Sequence, residues 1–265
     1  MSTTVSTTTP PLAELRAAAQ ALLEGRFREG VPGHAADAWT PTPGERFVVA
    51  LGCGGGVGTT TVAVAVATAS EPSRVVECCS SLQSGLVAAS YSELGESGGW
   101  LRGSRNHVTL ERLAHPLADF RALPLLLSTT DSGSMTVLDA GGDLDRVRQS
   151  GWLGPLLGRC PLVVVTRASI PGVRRLESLL AGLAIHQVAA VAVIGPPPRR
   201  WPKGMLHSLG QSARTLDAAG RLISVPDDPE LAVAGLSNSP LPTKTLVAGA
   251  ALAALIDSFN PNASH

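Results

Sequence analysis

A glycine-rich turn between a short apolar run and a small-residue segment carries the clearest chemical signal in the chain. Residues 52–61, called the glycine loop below, have the sequence Gly-Cys-Gly-Gly-Gly-Val-Gly-Thr-Thr-Thr. They follow the apolar run Phe47–Leu51 and lead into a helical spacing over Thr59–Ala69. Glycines let the backbone approach an anion, and the amides of a helix N-terminus attract its charge. The order of strand, glycine turn and helix is typical of a phosphate-binding loop.

The glycine loop lacks the lysine on which most such loops depend. In the pattern Gly-x-x-x-x-Gly-Lys-Ser/Thr that lysine reaches the β- and γ-phosphates, but position 59 is a threonine and position 53 is a cysteine. An arginine from elsewhere could supply the charge, and Arg102, Arg105 and Arg167 are the candidates. A structural turn without a ligand is the alternative interpretation of the glycines.

Oxygen-bearing side chains near the ends of predicted strands could hold a metal ion. Asp139 ends the apolar run Met135–Asp139, and Glu77 ends Arg74–Glu77. Hydroxyl and carboxylate oxygens suit Mg²⁺, so we expect Thr60 and Asp139 to hold it, with Glu77 as a further candidate. The alternatives are that Asp139 caps the next turn and that Glu77 is a buried, hydrogen-bonded carboxylate.

The surrounding pattern alternates short apolar runs with helical segments. Continuous apolar runs of this kind predict an α/β fold, with a mostly parallel central sheet and helices on both faces. The predicted strands are Phe47–Leu51, Arg74–Glu77, His107–Leu110, Met135–Asp139, Leu162–Thr166, Val188–Ile194 and Leu222–Val225, and further helices are predicted over Arg174–Leu183 and Thr243–Ile256.

The same pattern predicts one folded domain over 46–258 with a segment on each side. Residues 1–45 are predicted to be a flexible extension that contains a short helix over about 12–27, and residues 259–265 a disordered tail. The apolar spacing of the short helix fits either packing on the domain or docking to a partner.

Composition limits the classes of partner and compartment. The 265 residues include 21 basic and 21 acidic ones, so the net charge of zero does not indicate nucleic acid as a partner. The four cysteines lack a Cys-x-x-Cys spacing and indicate reduced thiols; for Cys53, Cys78 and Cys79, a redox role is the alternative to simple burial. The sequence shows no secretory signal and no transmembrane segment, which predicts a cytoplasmic protein.

Several motifs together resemble those of the ParA/MinD family of dimeric P-loop ATPases. Residues 54–61 resemble the family's deviant Walker A loop, Lys-Gly-Gly-Val-Gly-Lys-Thr-Thr. Further segments are similar to its later motifs in order and spacing, namely Val75–Cys79, Thr136–Gly142, Leu162–Pro171 and Val225–Asp228. The resemblance runs from about Phe47 to Ile256 and is strongest to the lysine-lacking CpaE/TadZ-like branch.

This resemblance implies a P-loop NTPase-like domain that binds ATP or ADP with Mg²⁺. It also implies a homodimer that works with a protein partner in a larger bacterial apparatus, such as a pilus, a secretion or conjugation machine, or a plasmid partition complex. The nucleotide-binding residues that it implies are Gly55, Gly56, Val57, Gly58, Thr59, Thr60, Thr61, Pro226 and Asp227.

Three departures from the family pattern argue against efficient hydrolysis. Thr59 replaces the loop lysine, Gly54 the signature lysine and Cys79 the second acid of an Asp-x-Asp motif. Such groups stabilise the charge of a transferring phosphoryl group, so no catalytic residue is assigned and a pseudo-ATPase that uses nucleotide as a switch is predicted. The alternative is a structural interaction module that keeps the fold and binds no nucleotide.

Overall fold

The computed structural model describes residues 44–127 and 133–259. Its strands are β1 Arg46–Gly52, β2 Ser73–Glu77, β3 Ser92–Ser97, β4 Trp100–Arg105, β5 Val108–Leu113, β6 Met135–Asp139, β7 Leu162–Arg167, β8 Val188–Ile194 and β9 Leu222–Val225. Its helices are α1 Thr59–Thr68, α2 Leu86–Ala89, α3 Leu144–Gln149, α4 Leu153–Leu156, α5 Ile170–Ala181, α6 Lys203–His207, α7 Gln211–Ala218, α8 Pro229–Ala234 and α9 Thr243–Phe259, with 3₁₀ turns at Phe120–Ala122, Ile185–Gln187 and Pro198–Arg200.

The described strands form one sheet in the order β3-β4-β5-β2-β6-β1-β7-β8-β9. Neighbouring strands are parallel, except that β4 is antiparallel to both β3 and β5. The predicted α/β fold with a mostly parallel sheet is therefore confirmed. The hairpin of β3 and β4 was not predicted, and it extends the sheet beyond β5.

Helices cover both faces of the sheet because its strands are apolar on both sides. Val48 and Ala50 of β1 pack toward α1 and α9, whereas Val49 and Leu51 pack on the other face against the cluster that includes Leu153 of α4. Helices α5, α6 and α7 cover β7 and β8 on that second face. Continuous Val and Leu runs are what such a two-sided burial requires.

Helix α1 packs closely against α9 because both carry small residues. Its buried positions are mostly Val and Ala, and a Cβ added at Gly249 of α9 would lie 2.5 Å from the carbonyl oxygen of Ala65. The contact holds α1 against the sheet, so the start of α1 is fixed relative to the strand ends.

The predicted extension over 1–45, including the helix over 12–27, lies almost entirely outside the described residues. So does most of the predicted tail over 259–265, although Phe259 is the last residue of α9. Within the described ranges, no helix combines the length and apolar composition needed to cross a bilayer.

Candidate nucleotide-binding site

The glycine loop lies at the carboxyl end of β1 and is tied to both neighbouring strands. The amide of Gly52 donates to the carbonyl of Gly141 beyond β6 at 2.6 Å, and the amide of Cys53 donates to Val165 of β7 at 2.8 Å. Helix α1 then begins at Thr59. Crevices at this end of a parallel sheet are where ligands bind in open α/β folds.

Two positions in the loop require glycine for their backbone conformation. Gly56 and Gly58 have φ angles of 69° and 96°, in the left-handed region that side chains rarely adopt. At Gly58 an added Cβ would also lie 2.4 Å from Cδ1 of Ile194. The chain thus turns tightly into α1 and leaves its first amides unobstructed by side chains.

A cleft of about 230 Å³, called the phosphate cleft below, opens beside the loop. It is lined by residues 54–56 and 58–61, together with Gln83, Gly141 and Leu236. Of the loop residues assigned to nucleotide binding, all but Val57 line this cleft; Val57 instead packs into the hydrophobic core. A hollow walled by glycine backbone and backed by a helix N-terminus suits an anion.

The structure brings Thr60 and Asp139 together at the edge of this cleft. The Thr60 hydroxyl donates to Oδ2 of Asp139 at 2.6 Å, and the amide of Gly141 donates to Oδ1 at 3.2 Å. Asp139 is fully buried at the end of β6. Burial raises the pKa of its carboxyl to about 6, partly offset by these two hydrogen bonds, and the nearby charge of Glu77 raises it further.

Glu77 lies directly across from Asp139 in the parallel pairing of β2 and β6. Its Oε2 accepts a hydrogen bond from the amide of Leu113 at 3.0 Å. Its Oε1 has no well-formed hydrogen bond among the described residues, although the Ser84 hydroxyl is near enough to lower the carboxyl's pKa. Burial outweighs this effect and raises the pKa of Glu77, so two buried acids face each other.

These oxygens match the ligand preference of Mg²⁺. The Thr60 hydroxyl and the carboxylates of Asp139 and Glu77 are hard oxygen donors. A bound cation would offset the cost of burying the two carboxylates in their charged form, which is the main reason that their pKa values are raised. Within residues 44–127 and 133–259, no three His, Cys, Asp or Glu side chains form a cluster that could hold a metal ion. The site therefore fits a metal that keeps several waters.

Two of the three residues that replace family residues, Thr59 and Cys79, have buried side chains. Thr59 is buried, and a Cβ added at Gly52 would lie 2.4 Å from its hydroxyl, so its side chain turns back toward β1. Cys79 packs behind Gly141, since a Cβ at that glycine would lie 2.7 Å from Cys79 Cβ. Neither residue carries a charge to the cleft, because burial raises the pKa of the Cys79 thiol far above neutrality.

Pro226 and Asp227 line a neighbouring cleft of about 140 Å³, called the base-side cleft below. It shares Gly56, Gly58 and Thr61 with the phosphate cleft. An extended molecule could therefore lie on the loop and reach both clefts, with its anionic part at the amides of α1.

None of the three arginines suggested by the sequence points its charge at the phosphate cleft. Arg102 pairs with Glu111 at 3.7 Å, and Arg167 pairs with Asp227 at 2.9 Å in the base-side cleft. The guanidinium of Arg105 donates to backbone carbonyls, including that of Ser237 at 2.6 Å. These residues are therefore engaged in structural contacts.

An arginine that the sequence did not single out approaches the loop instead. Nη1 of Arg175, in α5, lies 3.7 Å from the position of a Cβ at Gly54. The sequence shows only that α5 follows β7 along the chain. That β7 lies beside β1, and so brings Arg175 near the loop, is seen only in the fold.

The cysteines near the loop are buried or half-buried structural residues. Burial raises the pKa of the Cys53 thiol to about 12 and that of Cys78 well above its usual value. Reactive cysteines have lowered pKa values, so the interpretation of small buried side chains is favoured over the redox role.

Comparison with known proteins supports the fold. No family model and no curated protein sequence matches the chain. Among solved structures, the cell division ATPase MinD of Pyrococcus furiosus is similar, with a TM-score of 0.54 and 19% identity over 81% of this chain and 99% of that one. For a ParA family ATPase of Chlorobium tepidum, the TM-score is 0.48 and the sequence identity is 14%, and the match covers 80% of this chain and 98% of that one. For a nucleotide-binding protein of Archaeoglobus fulgidus in complex with ADP, the TM-score is 0.44 and the sequence identity is 13%, and the match covers 76% of this chain and 91% of that one. The described residues therefore have the α/β P-loop fold of the MinD ATPase.

Proposed function

We propose that this protein is a ParA/MinD-like pseudo-ATPase that responds to nucleotide and positions or regulates a larger bacterial apparatus. It acts in the cytoplasm as a homodimer and belongs with the lysine-lacking CpaE/TadZ-like branch. The apparatus is a pilus, a secretion or conjugation machine, or a plasmid partition complex. The observation that carries the proposal is the glycine-walled phosphate cleft at the start of α1, with the Thr60–Asp139 pair at its edge.

ATP or ADP would bind with its phosphates on the loop amides between Gly55 and Thr60. The helix N-terminus and the turn amides supply partial positive charge there. Thr60 and Asp139 would hold Mg²⁺, with Glu77 beside them, and the metal would neutralise phosphate charge. The base end of the nucleotide would extend toward Pro226 and Asp227 in the base-side cleft.

Hydrolysis would be weak or absent because cations and an acid are missing where charge develops. Removing one such donor typically slows an enzyme by about 10²–10³-fold. Thr59 and Gly54 remove two cations, and Cys79 replaces an acid that could orient water. Nucleotide occupancy, and not turnover, would then be the signal passed to partners.

Exposed apolar residues beside the phosphate cleft support a homodimer. Leu82 is 95% exposed and Val233 is 91% exposed, and both lie within two residues of Gln83 or Gly235 in the cleft lining. These exposed apolar side chains are therefore candidate contact residues for a second subunit. A second subunit covering them would also cover bound nucleotide.

Thermal unfolding with and without ATP and Mg²⁺ tests nucleotide binding. A ligand at about 100 times its Kd stabilises the folded state by about 2.7 kcal/mol, which corresponds to a rise in Tm of roughly 5–11 °C for a domain of this size. Thr60→Ala should abolish the rise. Thr68→Ala is the matched control in the same helix, because the Val64 carbonyl is the one hydrogen-bond partner that its hydroxyl has among the described residues, and it should keep the rise.

The structural interaction module is the competing function, and the loss of loop cations favours it. It predicts no change in Tm at any nucleotide concentration for the wild-type protein. A separate steady-state assay addresses turnover: ATP hydrolysis at ordinary rates that disappears in Thr60→Ala would contradict the pseudo-ATPase proposal while leaving nucleotide binding intact.

A further inference from the structure

The Arg175 guanidinium is the uncommitted cation beside the glycine loop. Arg175 is exposed on α5, and no salt bridge or hydrogen bond joins its side chain to the residues that the structure describes. Arg148, which lies near Arg175 in the lining of one cleft, is instead paired with Asp145 and donates to the carbonyl of Gly182. Among the described residues, the guanidinium can therefore move to a ligand without breaking a hydrogen bond or an ion pair.

The Arg175 guanidinium lies next to the space that a side chain at position 54 would enter. A Cβ added at Gly54 would meet only Nη1 of Arg175 within 4 Å, at 3.7 Å. The guanidinium thus lies where a longer side chain at position 54 would begin. A cation carried by a different element of the fold therefore lies beside the loop position at which glycine replaces the family's lysine.

A ridge without side chains separates Arg175 from the phosphate cleft. Arg175 lines a second cleft of about 390 Å³ together with Gly52, Cys53 and Gly142. Gly142 also lines the phosphate cleft and packs directly on Gly54, since a Cβ at Gly142 would lie 2.4 Å from the Gly54 carbonyl. Gly54 and Gly142 present no side chain between the two clefts, which leaves room for a long side chain to reach across.

The direction of approach selects one end of the nucleotide. The base-side cleft adjoins the loop at Gly56, Gly58 and Thr61, whereas Arg175 approaches at Gly54. A nucleotide with its base near Pro226 would place its last phosphate toward Gly54. A guanidinium there can form two parallel charge-assisted hydrogen bonds to that phosphate.

We propose that Arg175 binds the terminal phosphate of a nucleoside triphosphate, supplying from α5 the cation that positions 54 and 59 lack. The proposal rests on the nucleotide binding proposed above. It makes Arg175 a residue that distinguishes triphosphate from diphosphate, because ADP has no phosphate at that end. Such discrimination is what a nucleotide-operated switch needs.

Calorimetric titration of the full-length protein with AMPPNP and with ADP, each with Mg²⁺, tests the proposal. Arg175→Ala should weaken AMPPNP binding by about 10- to 100-fold, the range expected for charge-assisted hydrogen bonds, and ADP binding by less than about 3-fold. Arg175→Lys should recover part of the lost AMPPNP affinity, since lysine restores the positive charge but cannot donate two parallel hydrogen bonds as a guanidinium does. Arg174→Ala, the adjacent exposed arginine, should bind both nucleotides as the wild type does.

Two results would overturn the assignment while leaving the proposed function in place. One is wild-type affinity for AMPPNP in Arg175→Ala, and the other is an equal loss in Arg174→Ala, which would indicate a general effect of surface charge. A wild-type protein that binds neither nucleotide would instead refute the proposed function and this inference together. The Tm of each unliganded variant should equal that of the wild type, because both arginines are exposed.

Discussion

Replacing Asp139 with asparagine tests the electrostatics of the site most directly. The carboxyl is fully buried, and burial raises its pKa from 3.8 to about 6. Because the folded-state pKa lies above that of the unfolded chain, folding favours the protonated form. The stability that Asp139 contributes is therefore fully present below about pH 4 and is lost as the pH rises through 6. The difference between the two pKa values corresponds to about 3 kcal/mol in the free energy of unfolding.

Asparagine can keep both of the hydrogen-bond contacts that Asp139 makes. Its Oδ1 can accept from the amide of Gly141, and its Nδ2 can donate to the Thr60 hydroxyl, which would change from donor to acceptor. We expect Asp139→Asn to raise the free energy of unfolding of the unliganded protein by about 1–3 kcal/mol near pH 7.5. The corresponding rise in Tm is roughly 2–12 °C.

Thermal unfolding followed by circular dichroism between about pH 4.5 and pH 8 measures the effect. The Tm difference between Asp139→Asn and wild type should grow as the pH rises through 6. Asp145→Asn is the control, since the Asp145 side chain is 84% exposed and should change Tm little at any pH. A Tm difference that does not vary with pH, or a variant less stable than wild type near pH 7.5, refutes the reasoning.

Three further substitutions or probes test the packing of the fold. Arg74→Met should lower the free energy of unfolding by about 3–5 kcal/mol in urea titrations, because it removes the cation from two buried carboxylates; exposed Arg159→Met should not. The Cys160 thiol, buried and with its pKa raised to about 12, should react with a thiol reagent only after denaturation, so rapid labelling of the native protein would contradict its burial. Gly249→Val should destabilise the protein by about 1–3 kcal/mol or more, since its Cβ would lie 2.5 Å from an α1 carbonyl, whereas Ala250→Val on the exposed face should be tolerated.

The sequence was sufficient for the parallel part of the sheet and insufficient for its edge. Met135–Asp139, Val188–Ile194 and Leu222–Val225 were predicted at the residues where they occur, because buried strands need uninterrupted apolar runs. Strand Ser92–Ser97 is exposed at every position and so carries no apolar pattern. It forms through backbone pairing with Trp100–Arg105, which single-sequence periodicity does not reveal.

The same distinction between local and long-range signals applies to the candidate site. Thr60 was predicted from the phosphate-loop pattern, and Asp139 and Glu77 were predicted because each is an acid that ends an apolar strand. The fold brings them together because the carboxyl ends of parallel strands lie at one edge of the sheet. The position of Arg175 near the loop depends on β7 lying beside β1 and on the direction in which α5 leaves β7. Arg105 was a candidate source of charge for the loop, but its guanidinium donates to the backbone carbonyls of Ala89 and Ser237.

The balance of charge makes the metal, more than the protein, the main partner of nucleotide phosphates. Asp139 and Glu77 place carboxyl groups beside the phosphate cleft, whereas the Arg175 guanidinium lies beyond the glycine ridge, near Gly54. Nucleotide without a cation would therefore meet repulsion, whereas Mg²⁺ would bind the ionised carboxylate of Asp139 in competition with protons. Since that carboxyl has a pKa of about 6, the Tm rise caused by ATP and Mg²⁺ should be larger near pH 7.5 than near pH 5, and chelating the metal should remove most of it. An equal rise at both pH values, or one that persists after chelation, would show that backbone amides alone hold the phosphates.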